Sequence, residues 1–194
     1  MVSVAWVETE RAKADAHRLV RVELSRAHPS VAPDTWTFAR TEADKPFVIG
    51  PVTSAASFNL SHTDGLTVVA VGPSDVGVDA ESLARGADIL STVLRAFAPA
   101  ELAALRELPA ERRAERAVEL WTVKEAYLKG LGTGISRHLD RFAVSPLAPH
   151  LWMAEEAPDW RIHTRIVAGR WMVAVAAGAK EAIAYRGETL EQVL

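Results

Sequence analysis

Apolar positions along this chain recur with two periods, one helical and one of strands. Ala16, Leu19, Val20 and Leu24 stand at helical spacing ahead of Pro29 and predict a helix over 10–27. Trp36-Thr37-Phe38 reads as a short strand, and the Pro-, Gly-, Ser- and Ala-rich stretch 41–57 reads as loop. Phe58–Ser61 and Leu66–Val71 predict two strands turning through Thr63-Asp64-Gly65, and Val76–Glu81 a third after Gly72-Pro73-Ser74-Asp75. Helices are expected over 88–97 and 99–108, the second with Pro99 at its first position. A long amphipathic helix over 111–130 ends at Gly130, Gly132 and Gly134, and strands follow near 140–145, 161–167 and 170–176.

The pattern repeats itself. Gly65 to Val71 and Gly169 to Val175 share the arrangement Gly-x-x-x-Val-Ala-Val. At the same offset Phe38 falls on Phe142, and the helix around Ala16–Leu24 falls on the one around Leu120–Leu128. Three features on one offset favour a duplicated unit. The expected fold class is α/β (α+β), with two similar halves, 1–77 and 78–194, related by pseudo-twofold symmetry and an active cleft between them.

Composition narrows the classes. The chain has 194 residues, 49% of them hydrophobic, enough for a packed core. No uninterrupted apolar run of membrane-spanning length occurs, and the N-terminus lacks the basic flank and apolar stretch of a signal peptide, so the expected address is cytoplasmic, with no membrane partner. The absence of cysteine excludes disulfides, thiolate metal sites and cysteine nucleophiles. A net charge of -3 gives no general nucleic-acid footprint, so any polyanion site must be local. There are 17 Arg but only 5 Lys, and Lys45, Lys124 and Lys129 all fall in the segments that carry chemistry.

Asp79 and Glu81 stand two apart in a predicted strand, so both carboxylates project from one face with Cα atoms about 6.6 Å apart. Such a pair suits magnesium, which takes one or two carboxylates and completes its octahedron with water and phosphate. A solvated strand face is the plainer account of the same pair. Glu125 lies beside the buried stripe marked by Trp121 and Leu128, where an unpaired carboxylate is costly. With Lys129 one turn on, it is either an ordinary helix ion pair or a third ligand or general base beside a phosphate-facing lysine. Ser61 and His62 present a hydroxyl and an imidazole at a strand end. His17, His28, His138, His150 and His163 show no metal-ligand spacing. No Gly-x-Ser-x-Gly elbow is present, and the glycines at 130–134 follow a helix, unlike a P-loop or dinucleotide fingerprint.

Taken in order, these segments resemble the 4′-phosphopantetheinyl transferase superfamily, Sfp type. The matching residues are Lys45-Pro46-Phe47, Asn59-Leu60-Ser61-His62, Val76-Gly77-Val78-Asp79-Ala80-Glu81, and Trp121 through Lys129 with Gly132 and Gly134. Asp15-Ala16-His17-Arg18 resembles the family's arginine-bearing helix segment, although little basic sequence precedes it beyond Arg11 and Lys13. The resemblance implies Mg2+-dependent transfer of the phosphopantetheine arm of coenzyme A to a serine of an apo acyl or peptidyl carrier protein, with release of adenosine 3′,5′-bisphosphate. It implies that Asp79, Glu81 and Glu125 hold the metal and that Glu125 and Lys129 are catalytic. Arg18, Lys45, Pro46, Ser61, His62, Lys124 and Lys129 would contact coenzyme A. A monomer is expected, because the cleft lies within one chain. Two other readings use the same residues: a non-catalytic paralogue that binds coenzyme A or carrier proteins, and a magnesium-dependent phosphohydrolase.

Overall fold

The computed structural model describes residues 1–52, 56–133 and 139–193. Gly134, expected among the helix-ending glycines, lies outside them. Two sheets stack face to face, and each carries helices on its outer side. The first sheet contains β1 (Val2–Glu8), β4 (Ser57–Thr63), β5 (Leu66–Gly72) and β11 (Ile183–Glu188), in the order β11-β1-β5-β4. The second contains β6 (Gly77–Ser82), β7 (Val144–Ala148), β8 (Leu151–Ala154), β9 (Trp160–Val167) and β10 (Trp171–Gly178), in the order β6-β10-β9-β8-β7. A separate hairpin pairs β2 (Thr37–Arg40) with β3 (Pro46–Gly50).

The continuous apolar runs of β5 and β10 follow from this layering, because both faces of each strand are covered. Ala5, Val7, Val69 and Val71 face α1 (Ala12–Ala27) through its Leu19, Val20 and Leu24. Val4, Val68 and Ala70 face the other way, against Val78, Ala80, Val173 and Val175 of the second sheet. The far side of that sheet packs Met172 and Ala174 against α4 (Ala110–Leu131), with α2 (Gly86–Ala96) and α3 (Pro99–Glu107) around it. The core therefore has three apolar layers.

The sequence echo is a topological one. β1, α1, β4 and β5 are followed by β6, α4, β9 and β10 with the same antiparallel pairings, β1 on β5 on β4 and β6 on β10 on β9. Three departures from the sequence reading stand out. The stretch 41–57 is not all loop, because Pro46–Gly50 forms β3. β1 and β8 have no clean alternation, since β1 is buried on both faces and β8 has only four residues. Finally, β11 returns from the C-terminal segment to pair in parallel with β1. A charge cluster pins it to α1: Arg26 Nη1 lies 2.6 Å from Glu188 and Arg186 Nη2 lies 2.7 Å from Glu23, with Arg186 also on Glu188.

Candidate active site

Along one side of the stacked sheets the edge strands β4 and β6 lie beside each other, and side chains make the junction. Asn59 Oδ1 accepts the Val78 amide at 2.9 Å, and Ser61 Oγ accepts the Ala80 amide at 3.2 Å. Thr63 Oγ1 donates to Glu81 at 3.1 Å. Alternation along β4 puts these three residues on one side, and they cap a strand edge that would otherwise carry unpaired amides. Across β6 the same alternation sends Val78 and Ala80 into the core, and Asp79 and Glu81 toward α4.

Helix α4 crosses β6 at close range, because Gly77 and Gly130 meet there without side chains. A Cβ on Gly77 would lie 2.0 Å from the Ala126 carbonyl oxygen. This approach brings Lys129 onto Asp79: its Nζ stands 2.6 Å from Asp79 Oδ1 and 3.0 Å from Ser61 Oγ. Ser61 in turn donates to Asp79 at 2.9 Å. Ser61, expected to face a phosphate, is thus buried and occupied with positioning Asp79.

Glu125, one turn before Lys129, is also buried. Burial, then the Asp79 charge, push its carboxyl up to about 7, while Lys129 pulls the other way. Two neighbouring buried carboxylates answered by one ammonium leave negative charge unbalanced, and that is the chemistry of a hard-cation site. Glu81 is differently engaged. Its Oε2 accepts Arg85 Nη1 at 2.7 Å, and its Oε1 accepts Thr63 and the Ser82 amide. Among the described residues, no group of three or more His, Asp or Glu side chains is gathered closely enough to hold a metal. Asp79 and Glu125 fit a two-carboxylate site whose remaining positions fall to water or phosphate, and Glu81 stands outside it while Arg85 holds it.

Beside these carboxylates opens a cleft of about 540 Å³. Lys13 and His17 of α1, Arg40 and Lys45 of the hairpin, His62 of β4 and Lys129 of α4 line it, so both halves contribute. Lys45 donates to the Gly130 carbonyl at 2.8 Å and ties the hairpin to the end of α4. Burial, then Lys129, Lys13 and His17, push the His62 imidazole below its ordinary value, as a cluster of positive charge requires.

The family model described as the 4′-phosphopantetheinyl transferase superfamily matches residues 75–176, more than half of the chain. The chain belongs to this superfamily. Its relatives are of the Sfp type: it is 30% identical over 138 residues to 4′-phosphopantetheinyl transferase Sfp of Bacillus subtilis, covering 68% of this chain and 59% of that one. It is 35% identical over 125 residues to 4′-phosphopantetheinyl transferase HetI of Nostoc, covering 63% of this chain and 52% of that one. The chain therefore spans little more than half the length of these relatives. A crystal structure of a holo-(acyl-carrier-protein) synthase from Bacillus anthracis in complex with coenzyme A is 21% identical, with a TM-score of 0.44, covering 53% of this chain and 92% of that one.

In this superfamily member, Lys45, Pro46, His62 and Lys129 all reach the cleft wall, and Asp79, Glu125 and Lys129 converge beside it. Lys124 does not join them. Its Nζ is fully buried on the opposite side of α4, 2.6 Å from Glu101 and 2.6 and 2.8 Å from the Leu139 and Phe142 carbonyls. Burial lowers its pKa, and Glu101 opposes that shift. This lysine ties α3 and α4 to the segment entering β7 and has no path to a phosphate. Arg18 is exposed and outside the cleft lining, whereas Lys13 and His17 of the same helix line it. The signal for that pair was available: they stand four apart, on one helical face, and Arg18 is turned about 100° from His17. Arg40 and Arg85 were legible only as basic residues, because their partners are set by the fold.

Proposed function

We propose that this chain transfers the 4′-phosphopantetheine arm of coenzyme A to a serine of an apo acyl or peptidyl carrier protein, with magnesium, releasing adenosine 3′,5′-bisphosphate. The observation that carries this reading is the adjacency of two elements. A buried carboxylate pair, Asp79 and Glu125, adjoins a cleft lined by five basic side chains besides Lys129. A dianionic pyrophosphate bearing a further phosphate needs both, since phosphoryl transfer is mostly positioning and charge neutralisation.

Asp79 and Glu125 would hold magnesium, joined by Glu81 when Arg85 releases it. When bound, the ion supplies positive charge to the pyrophosphate oxygens. In the reaction the serine oxygen bonds to the phosphorus that carries the pantetheine arm. The bond from that phosphorus to the bridging oxygen breaks, and the bisphosphate leaves with the electron pair. Glu125 takes the serine proton as the general base. Lys129 stabilises charge on the transferring and leaving oxygens. Lys13, His17, Arg40, Lys45 and His62 hold the nucleotide end. The segments 1–77 and 78–194 act as two halves of one catalytic unit, so a monomer suffices and a second chain supplies nothing to the site. A cytoplasmic location suits a coenzyme A-dependent reaction.

The test is incubation with coenzyme A, magnesium and a panel of apo-carriers from fatty-acid, polyketide and non-ribosomal peptide systems. A mass gain of one phosphopantetheine on a carrier serine is expected. Coenzyme A cleavage without a carrier would instead identify a phosphohydrolase, and coenzyme A binding with neither outcome a non-catalytic paralogue.

A further inference from the structure

The carboxylate pair is already occupied by a cation of the protein's own. Lys129 Nζ sits 2.6 Å from Asp79 Oδ1 and 3.0 Å from Ser61 Oγ, on a side chain 29% exposed. Ser61 is itself fixed by the Ala80 amide, so the ammonium rests in a built seat. Lys129 also lines the basic cleft, and its four-carbon stem gives the charge a second destination there. Glu125 has no side-chain hydrogen bond among the described residues, so one ammonium answers two carboxylates.

A divalent ion bound to Asp79 would stand about 2.1 Å from its oxygen. With Lys129 still on Oδ1, the ion and the ammonium would face each other across one carboxylate and repel at short range, whichever oxygen the ion takes. We infer that Lys129 is the resident counter-ion of the carboxylate site, that a divalent metal enters only by displacing it, and that the displaced ammonium turns into the cleft to meet an anionic polyphosphate. The inference rests on the reading of Asp79 and Glu125 as the metal site. Metal and polyphosphate then favour each other's binding, and by linkage the effect is reciprocal. Metal alone binds weakly, since it must strip Asp79 of its partner and leave the ammonium facing five other basic side chains. Polyphosphate gives that ammonium somewhere to go.

Manganese binding to the full chain, followed by electron paramagnetic resonance without any carrier, tests this. Lys129→Met keeps the stem and removes the charge, and Lys129→Gln also keeps a polar contact to Ser61 should the Met variant fold poorly. Both should bind manganese alone about tenfold or more tighter than wild type. The tightening that adenosine 3′,5′-bisphosphate produces in wild type should shrink in both. Equal or weaker manganese affinity in the Lys129 variants overturns the displacement idea. Asp79→Asn separates the two levels of the argument. If it loses manganese while the Lys129 variants bind like wild type, the metal site stands and only displacement fails. If it binds manganese like wild type, or if wild type and the Lys129 variants bind none, both fail.

Discussion

Gly77 and Gly130 meet where helix α4 crosses strand β6. A Cβ on Gly77 would lie 2.3 Å from the Gly130 nitrogen, and a Cβ on Gly130 would lie 2.6 Å from the Trp160 ring. Neither glycine needs an unusual backbone angle; Gly77 is required by the closeness of the crossing and Gly130 by the Trp160 ring packed against it. That closeness sets the reach of Lys129 to Asp79, one residue from Gly130 and two from Gly77.

Gly77→Ala should therefore force α4 away from β6, because the obstructing atoms are backbone. A loss of about 3 kcal/mol or more is expected, with a larger fractional loss of coenzyme A turnover than of helical signal. Urea denaturation and a carrier mass-shift assay on the same preparation check this.

Glu125→Gln tests the raised carboxyl. A carboxyl near 7 in the folded chain, against an ordinary value of 4.5, binds its proton more tightly folded than unfolded. Its contribution to stability is fully present below about 4.5 and is lost as pH rises through about 7. Gln mimics the protonated form. In chelator-treated buffer the variant should match wild type near pH 4.5 and exceed it at pH 8 by about 3 kcal/mol. Its saturated turnover should fall about 10²–10⁴-fold. Chemical denaturation across pH and single-turnover transfer measure the two separately.

Asp79→Ala removes the partner of Lys129 and the acceptor of the Ser61 hydroxyl together. Turnover should drop at least about 10²-fold, and coenzyme A binding should lose its dependence on added magnesium. The fold should survive, since Lys129 is part-exposed and can turn to the cleft. Calorimetry with and without a chelator, next to a carrier assay, reads both effects.

Lys13→Ala and His17→Ala should each weaken coenzyme A binding, by about tenfold for the lysine, the size of one lost charge-assisted contact. Arg18→Ala should change it less, because the structure turns Arg18 away from the cleft lining. Titrations at two salt concentrations check the ranking, and the salt dependence should weaken most in Lys13→Ala.

Lys124→Met should act on stability and not on the ligand. It leaves Glu101 buried without its cation and strips the Leu139 and Phe142 carbonyls of a donor. A cost of about 3–5 kcal/mol is expected, with coenzyme A affinity unchanged in the fraction that folds. Urea denaturation and calorimetry distinguish this from a phosphate-binding role.

The local pattern of the chain determined much of this by itself. Period-two alternation put Asp79 and Glu81 on one face of β6, and helical spacing put Glu125 and Lys129 on one side of α4. The shared offset of Gly65–Val71 and Gly169–Val175 announced a repeat that the paired sheets display. These are consequences of backbone geometry over a few residues, and the order of the motifs carried the family. The tertiary structure decided which charge answers which. Lys124 and Lys129 sit in one motif, yet five residues turn a helix by about 140° relative to its start, so one lysine is sealed against Glu101 and the other reaches Asp79. Glu81 goes to Arg85, Ser61 to Asp79, and β11 to β1 across the whole chain. Such pairings depend on long-range packing, which brings distant residues within hydrogen-bond reach, and no local period encodes that distance.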